Sequence, residues 1–551
     1  MSRCPSQLSH RGVPVARPPH LPSTRPLLRL APLLGLLLGL AGCGGGGGGG
    51  GSGDSAATPA GSGNDPPPAV SSSFVPVADA QQCDPANPLA PAGQRTGSLA
   101  QEKRWLAAFM ASTYLWNDQI PGTRAADANF TLPMSQTTSD GVPQALDNYF
   151  EALKTPQRTA SGARVDRFSF TYGTAAWEAL SSTGTSLGYG AQLVLVQPDP
   201  PRRAVVAAVE PGSPAALAGL VRGTEIVAAD GIDLVRETSD AGIATLNAAL
   251  SPSAAGAHSF TVQNPDGTDR RTLSLVAQAI TETPVRNVQV LATATGNVGY
   301  LQFDSHIASA EPLLIAAIRR LQGVSDLVLD LRYNGGGYLF MASQLAYMVA
   351  GPGATTDSNG ASRSFLRQQF NSRWRSLDSS TPFYNQSCLL DASGYCSSTA
   401  ALPTLGLSRV FVLTQNSTCS ASEAIINGLR GVGVTVNTIG GTTCGKPYGF
   451  VPQDNCGVSY FAIQFQGRNA QGFGDYGDGL APTCAVDDDY AHALGDRAER
   501  QLATALGLRD TGACQLATPS AAPRAGRSSS PAVPSRLLRH PLRDSSWLLP
   551  G

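Results

Sequence analysis

The sequence is poor in lysine and in charge of either sign. Only Lys103, Lys154 and Lys446 occur, and the other 36 of the 39 basic residues are arginines. Charged residues make up 14% of the chain and the net charge is −1, which gives no electrostatic basis for binding nucleic acid. Arginine keeps its proton in proteins, whereas a desolvated lysine can lose it. Each remaining lysine is therefore a candidate for chemistry that arginine cannot perform.

The sequence also lacks an apolar run of transmembrane length and lacks closely paired cysteines. The apolar run at residues 30–40 is too short to span a bilayer comfortably. None of the eight cysteines after residue 43 stands in a CxxC pair, so structural zinc is not expected.

Residues 1–43 are typical of a targeting segment. Arginines precede the apolar run at residues 30–40, which ends in Leu-Ala-Gly followed by Cys43. This ending resembles the bacterial lipobox, in which the cysteine is acylated and becomes the mature N-terminus, and the glycine-rich residues 44–82 would form a disordered tether. The resemblance predicts a lipid-anchored protein of the cell envelope that faces the periplasm. Gly44 in place of aspartate favours the outer membrane over the inner; an ordinary cleaved signal is the alternative.

An even number of cysteines in an exported chain indicates disulfides. Cys388 with Cys396 and Cys444 with Cys456 are the short-loop pairs that the spacing suggests. A bridge between Cys419 and Cys444 competes equally with the second pair, and the sequence does not decide between them.

The middle of the chain begins with two regions of different periodicity. Residues 83–180 carry a predicted helix that starts at Ser98 and a second at residues 145–153. Residues 184–283 carry short strands rich in Val, Ile and Leu, separated by glycine turns.

Strands and helices then alternate through residues 284–512. That alternation indicates an α/β core with mostly parallel strands, interrupted by a long polar insertion at residues 351–405. The tail at residues 515–551 is rich in Pro, Ser and Arg and is predicted to be disordered. The expected fold class is therefore multidomain α/β, with a helical N-terminal region and a β domain before the core.

Two residues of the core suit a hydrolytic reaction. Ser420 opens a predicted helix after a strand and a short turn, where free N–H groups and the helix dipole would stabilise an alkoxide. Lys446 follows 26 residues later, and burial would favour the neutral amine that could accept the serine proton. The segment alone favours Ser420 as a plain N-cap completed by Glu423, and Ser417 and Ser422 are competing serines.

A glycine turn at residues 330–337 supplies a third element. It stands between a predicted buried strand and a helix, at the strand end where open α/β sheets bind ligands. The backbone N–H groups of Gly335 or Gly336, together with that of Ala421, are the candidate oxyanion hole.

These motifs, in this order, resemble the carboxyl-terminal processing (tail-specific) serine peptidases over residues 184–485. The Ser-Ala-Ser-Glu element is matched at residues 420–423, Asp-Leu-Arg-x-Asn-x-Gly-Gly at residues 330–337, and Gly-Lys at Lys446. The resemblance implies a ClpP/crotonase-like protease core with Ser420 and Lys446 as the catalytic pair. It also implies endoproteolysis that needs no metal, ATP or other cofactor.

The β domain resembles the PDZ domains of bacterial proteases. A Pro-Gly-Ser-Pro-Ala-Ala-Leu-Ala-Gly-Leu run begins at residue 211, and the resemblance implies that a loop before it binds a substrate carboxylate. The partners would then be proteins or peptides with free apolar C-termini. The residues of this loop are Leu187, Gly188, Tyr189 and Gly190.

One position departs from the family pattern, which has a glutamine four residues after the lysine to orient it. Here that position is Phe450, and Gln453 or Gln464 are the possible substitutes. Two other functions stay open from sequence: a Ser-His hydrolase with His306 as base, and a non-catalytic lipoprotein that binds C-terminal tails through its β domain.

Overall fold

The computed structural model describes residues 78–138, 140–390, 396–514 and 546–547. The predicted lipidation site at Cys43, most of the tether and nearly all of the tail lie outside these residues. In the described part of the chain, no helix combines the length and the apolar character needed to cross a membrane.

The N-terminal region begins with the two predicted helices. Ser98 caps the first, because its hydroxyl accepts a hydrogen bond from the N–H of Gln101, and the apolar stripe of that helix is buried. The elements are α1 (Leu99–Thr113), α2 (Gln144–Ala152), β1 (Phe170–Gly173) and α3 (Thr174–Thr183).

The β domain forms one sheet in the order β2-β8-β7-β5-β4-β3, with β6 paired to β5. Its apolar residues form a small core of their own under α5. The elements are β2 (Thr185–Gly188), β3 (Ala191–Gln197), β4 (Arg203–Val209), α4 (Pro214–Leu217), β5 (Glu225–Ala229), β6 (Ile232–Asp233), α5 (Asp240–Leu250), β7 (Gly256–Gln263) and β8 (Arg271–Thr281).

The remaining elements belong to the α/β core and its additions. They are β9 (Val285–Thr293), β10 (Gly296–Phe303), α6 (Ala310–Arg320), β11 (Asp326–Asp330), β12 (Gly337–Tyr338), α7 (Leu339–Ala350), α8 (Pro352–Thr355), β13 (Ser364–Phe370), β14 (Ser379–Pro382), β15 (Leu389–Leu390), β16 (Cys396–Ser398), β17 (Arg409–Thr414), α9 (Ala421–Gly431), β18 (Thr435–Gly440), β19 (Tyr448–Gly449), β20 (Gln453–Asn455), β21 (Val458–Phe461), β22 (Phe465–Arg468), β23 (Cys484–Ala485), α10 (Arg500–Thr511) and β24 (Ser546–Trp547).

A six-stranded sheet organises the core in the order β23-β18-β17-β11-β10-β9. All neighbours are parallel except β9, which runs antiparallel to β10. Apolar residues of α6, α7 and α9 pack on one face, and those of α10 pack on the other. The predicted α/β core with mostly parallel strands is confirmed, and its central strand β11 is buried along its whole length because helices cover both faces of the sheet.

The N-terminal region is not a separate helical unit. β1 pairs antiparallel with β21 of the core, and β20 completes a three-stranded sheet. A disulfide between Cys83 and Cys456 ties the two segments together, and the helices share the main apolar cluster of the core. The sequence did not predict β1, because this strand is only four residues long and its partner lies about 290 residues away in the chain.

The insertion at residues 351–405 contains more regular structure than its polar composition indicates. β13 and β14 form a hairpin, and β22 and β19 extend it into a four-stranded sheet in the order β14-β13-β22-β19. Phe365 and Leu366 of β13 belong to the main apolar cluster, so this part of the insertion is packed onto the core.

Candidate active site

Ser420 is held in an uncommon backbone conformation at the start of α9. Its φ is 62°, in the region that non-glycine residues rarely adopt. The side chain is 3% exposed, and its hydroxyl has no hydrogen-bond partner among the described residues. A buried hydroxyl without a partner is unusual in a folded protein and is found where a group is reserved for function. Ser420 does occupy the N-cap of α9, and Glu423 accepts from its N–H as a capping box requires, but this role does not explain the buried hydroxyl.

The two competing serines are engaged elsewhere. The Ser422 hydroxyl donates to the Asn334 carbonyl at 3.1 Å, and the Ser417 hydroxyl donates to the Arg332 carbonyl at 2.5 Å. Both bonds attach the serine loop to the glycine turn. Of the three serines, Ser420 is thus the one whose hydroxyl is available.

One carboxylate holds the backbones of Ser420 and Lys446 side by side. Oε2 of Glu423 accepts hydrogen bonds from the N–H of Ser420 at 2.9 Å and from the N–H of Lys446 at 2.8 Å. The backbone nitrogens of Ser420 and Lys446 are therefore both within hydrogen-bonding distance of the same oxygen atom. Oε1 accepts from the N–H of Gly445 at 2.9 Å and from the hydroxyl of Thr443. The sequence assigned Glu423 only to helix capping and missed this second role.

Burial raises the pKa of Glu423 above its usual value, while the hydrogen bonds from Thr443, Lys446, Ser420 and Gly445 oppose that rise. The carboxylate lies entirely inside the protein, so removing it would leave several buried donors without an acceptor.

The amine of Lys446 lies among aromatic rings. The residue is 1% exposed, and its Nζ is 4.4 Å from the ring centroid of Phe450 and 5.5 Å from that of Phe168. Phe450 thus faces the amine from the position where the family pattern has glutamine. Phe168 comes from the N-terminal region, which the sequence did not connect with the lysine.

Gln464 does not replace the missing glutamine. Its side-chain amide accepts from the N–H of Val451 and donates to the carbonyl of Val451. Gln453 lies in β20 opposite Tyr460. The side chain of Gln464 is thus engaged with the backbone of Val451.

Four disulfides occur in the described residues. Cys388 pairs with Cys396, as predicted. Cys444 pairs with Cys419, so the alternative pairing of Cys444 with Cys456 is wrong; Cys456 pairs with Cys83 instead. The prediction of Cys444 with Cys456 relied on their short separation in sequence. The actual partner of Cys456, Cys83, is distant in sequence and lies close only because the N-terminal region packs on the core. The fourth bridge joins Cys484 to Cys514.

The glycine turn lies directly against the serine loop. The carbonyl of Asn334 accepts from the N–H of Cys419 at 3.1 Å, in addition to the Ser422 hydroxyl. The N–H of Gly336 already donates to Oδ1 of Asn334 at 2.9 Å. No acceptor is recorded within the described residues for the N–H of Gly335 or of Ala421. Of the three candidate oxyanion donors, these two are the ones that remain available.

His306 is buried beside the same turn. Its Nδ1 pairs with Oδ1 of Asn334 at 3.0 Å, and its ring packs on Phe303. Burial lowers the pKa of His306 to about 3. The side chain is oriented by the turn, and no hydrogen bond joins it to Ser420 in the structure.

The cluster of Cys419, Glu423 and Cys444 brings three potential metal-ligand atoms together. Both sulfurs belong to one disulfide and so cannot act as thiolates, the form of cysteine that binds metals. With the bridge intact, this cluster is a poor metal site.

A cavity of about 790 Å3 joins the β domain to the core. At one end it is lined by the predicted carboxylate loop, Leu187, Gly188, Tyr189 and Gly190, and by β3; at the other end it reaches Gly335, Gly336 and Ser417. Ser420 does not line this cavity.

Arg222 connects the β domain with the glycine turn, and the sequence did not identify it. Its guanidinium donates to the Tyr333 hydroxyl at 2.7 Å and to Oδ1 of Asp488 at 2.7 Å. The same Asp488 oxygen accepts from Arg332, which also pairs with Glu499. Tyr333 and Arg332 belong to the glycine turn, so this buried network links the domain to the turn that precedes Gly335.

Comparison with known proteins agrees with this site. Residues 297–453 match the family model of peptidase family S41, a range that includes the glycine turn, the serine and the lysine. The chain is 32% identical over 170 residues to a carboxyl-terminal-processing protease of Picosynechococcus and 30% identical over 205 residues to a chloroplastic C-terminal processing peptidase of Tetradesmus obliquus. These matches cover 30% and 32% of this chain and 39% and 40% of the relatives, so they span about two-fifths of the relatives' length.

The fold is similar to that of a Bacteroides fragilis protein assigned to the S41 proteases. The TM-score is 0.53 at 22% identity, and the similarity covers 74% of this chain and 97% of that one. At this identity the likeness concerns the fold alone.

Proposed function

We propose that this chain, whose residues 297–453 match the family model of peptidase family S41, is a serine endopeptidase with Ser420 as nucleophile and Lys446 as general base. The observation that carries the proposal is the shared Glu423 oxygen, which holds the backbones of both residues together. The buried, unpartnered hydroxyl of Ser420 supports the same assignment.

In this proposal the Ser420 hydroxyl passes its proton to the neutral amine of Lys446 and attacks the substrate carbonyl. Burial of Lys446 favours the neutral form, whereas the faces of Phe450 and Phe168 favour the cation that follows proton uptake. The N–H groups of Gly335 and Ala421 then stabilise the oxyanion. The lysine returns the proton to the leaving amine, and water hydrolyses the acyl-enzyme.

The substrates proposed are proteins that present a free, apolar C-terminus to a PDZ-like β domain. β3 is an edge strand, paired only with β4 among the described strands, so it has a free side for an added peptide strand. Leu187 and Gly188 end β2, Tyr189 and Gly190 connect it to β3, and the cavity leads from these residues toward Gly335. A substrate bound along β3 would thus extend toward Gly335 of the proposed oxyanion hole.

The proposed location is the cell envelope, with Cys43 as the lipid-modified residue and the enzyme facing the periplasm. Four disulfides in the described residues support an oxidising compartment.

Replacement of the two proposed catalytic residues tests the reaction. Lys446→Ala should lower turnover about a hundredfold or more, since a general base contributes at least that much, and Ser420→Ala should abolish it. Lys103→Ala is the matched control, because Lys103 is also buried but its Nζ donates to the carbonyls of Ala125 and Phe130, outside the site. A change of twofold or less for a folded Lys446→Ala variant would remove the Ser-Lys mechanism.

A second experiment tests substrate recognition. Peptides with a free apolar C-terminus should bind the Ser420→Ala protein, and the same peptides with an amidated C-terminus should bind at least tenfold more weakly, because the loop of Leu187 to Gly190 would then have no carboxylate to bind. Equal affinities in a calorimetric titration would contradict the proposed role of the loop.

A further inference from the structure

One disulfide joins the serine segment directly to the lysine segment. Cys419 immediately precedes Ser420, and Cys444 stands two residues before Lys446. The Cα atoms of the two cysteines are 5.1 Å apart. Of the four bridges in the described part of the chain, this is the one that connects the two segments of the proposed catalytic pair.

Hydrogen bonds also join the two segments. The N–H of Cys444 donates to the carbonyl of Thr418 at 3.0 Å, and the Glu423 carboxylate accepts from Gly445 and Lys446. Hydrogen bonds to one carboxylate orient the lysine segment only while that segment stays within reach of α9. The disulfide fixes that separation.

The lysine side chain receives its immediate surroundings from Phe450 and Phe168. Aromatic rings restrict where the amine lies, but they offer no directional acceptor of the kind that an amide oxygen provides. The backbone position of Lys446 limits where its amine can lie relative to Ser420.

The glycine before the lysine makes that backbone position specific. Gly445 has a φ of +82°, and a Cβ there would lie 2.4 Å from the carbonyl oxygen of Gly477. In addition, Arg167 donates to the carbonyls of Cys444 and Gly477. The lysine segment is thus clamped between the disulfide on one side and the segment around Gly477 on the other.

The geometry points to Cys419–Cys444 as a positioning disulfide for the proton transfer from Ser420 to Lys446, which makes the peptidase dependent on an oxidised bridge. This inference rests on the proposed function. Neither cysteine touches the substrate; the bridge acts by holding the two reacting side chains in register.

Reduction of the bridge would disturb the site chemically as well as mechanically. A thiolate of a dithiol reductant attacks Sγ of Cys444, the less buried of the two sulfur-bearing residues, and Cys419 leaves as a thiolate that takes up a proton. The second thiol of the reductant then releases Cys444 as a thiol, and two electrons have passed from reductant to protein. Sγ of Cys444 lies 3.3 Å from Oε2 of Glu423. As a thiol it becomes a donor that competes for the oxygen on which Ser420 and Lys446 depend.

A double variant tests the inference in the full-length protein. Cys419→Ala with Cys444→Ala should lower kcat at least tenfold while KM changes less than twofold, because misplacing a catalytic group by about 1 Å can cost about a hundredfold in rate. The pH–rate profile should also shift, since the amine would occupy a different environment. Cys388→Ala with Cys396→Ala removes a bridge outside the site and should leave kcat and the pH profile unchanged.

Chemical reduction of the wild-type enzyme is the second test, and it does not depend on folding of the double variant. With increasing dithiothreitol, peptide cleavage should fall in step with alkylation of Cys419 and Cys444, measured by mass spectrometry, while the far-ultraviolet circular dichroism stays constant. Activity that persists until the protein unfolds would overturn the inference, as would a folded double variant with wild-type kcat and pH profile. A wild-type enzyme without any peptidase activity would instead contradict the proposed function.

Discussion

The serine–lysine site and the β domain differ in how far their backbone N–H and C=O groups are hydrogen-bonded. At the site, one buried carboxylate accepts three backbone N–H groups and a hydroxyl. In the β domain, β3 leaves one side of its backbone unpaired among the described strands. Catalysis needs groups held in fixed positions, whereas strand addition needs unpaired groups. This difference matches the proposed function, in which the first region positions the reacting groups and the second binds the substrate peptide.

The largest expected effect comes from removing the carboxylate at the site. Glu423→Ala should lower turnover about a hundredfold and destabilise the protein by about 3 kcal/mol, because several buried donors lose their acceptor. The measurements are peptide cleavage and denaturant unfolding.

Glu311→Ala is the control for Glu423→Ala. Glu311 is also buried and accepts bonds from Gln344 and Cys388, outside the site. It should lose stability but keep kcat; equal losses of activity in both variants would mean that Glu423 is only structural.

The link between the two regions should be the next most sensitive point. Arg222→Ala leaves Asp488 with one partner fewer in a buried network and should cost about 3 kcal/mol of unfolding free energy. Arg203→Ala breaks the more exposed pair with Glu225 and should cost less than about 1 kcal/mol. Similar losses for the two variants would show that the regions are not coupled through Asp488.

Recognition should be damaged selectively by a change in the carboxylate loop. Gly190 has a φ of +78°, and a Cβ there would lie 2.2 Å from Cβ of Ser213. Gly190→Ala should weaken binding of C-terminal peptides about tenfold, equal to about 1.4 kcal/mol. Gly212→Ala carries a similar φ of +73° but meets no atom within 4 Å, so it tests backbone strain alone. If Gly190→Ala leaves the affinity for the peptide unchanged, these residues do not bind the peptide carboxylate.

The last prediction concerns the dependence of stability on pH. Because burial lowers the pKa of His306 to about 3 from an ordinary 6.5, the unfolded chain binds a proton between those values that the folded protein does not. The stability of the folded state should therefore fall as the pH drops from 6.5 toward 3, and His306 should contribute nothing to that dependence above 6.5.

His306→Gln should reduce this acid sensitivity. Between pH 7.5 and pH 5 the variant should lose about 2 kcal/mol less unfolding free energy than the wild type. Parallel losses in urea titrations at the two pH values would show that His306 does not titrate in this way. The variant should also retain activity at neutral pH, because a Ser-Lys pair does not use the histidine.

Contiguous motifs were the part of this protein that could be predicted well. The capped helix at Ser98, the alternating core, the glycine turn before α7 and the helix that follows Ser420 all depend on neighbouring residues and appear as expected. The same contiguity allowed the pairing of Cys388 with Cys396. Local backbone preferences and hydrogen bonds decide these features, so the order of residues is sufficient evidence.

Contacts between distant segments were not predictable in the same way. The pairing of Cys83 with Cys456, the strand β1 and the place of Phe168 beside Lys446 depend on the N-terminal region folding onto the core. Arg222 and Asp488 meet because the β domain packs near the glycine turn. The same local sequence patterns would allow these residues to contact other partners. The packing of the whole chain decides which contacts form.

The sequence by itself determined which residues are proposed to carry the chemistry, because a serine at a helix start, a glycine turn and a rare lysine each have properties that other residue types lack. The tertiary structure decided which groups surround them. Glu423 accepts hydrogen bonds from both segments, Cys419 forms a disulfide with Cys444, and the ring of Phe450 lies beside the Lys446 amine. Support of this kind depends on distances between segments, and only the packed fold sets those distances.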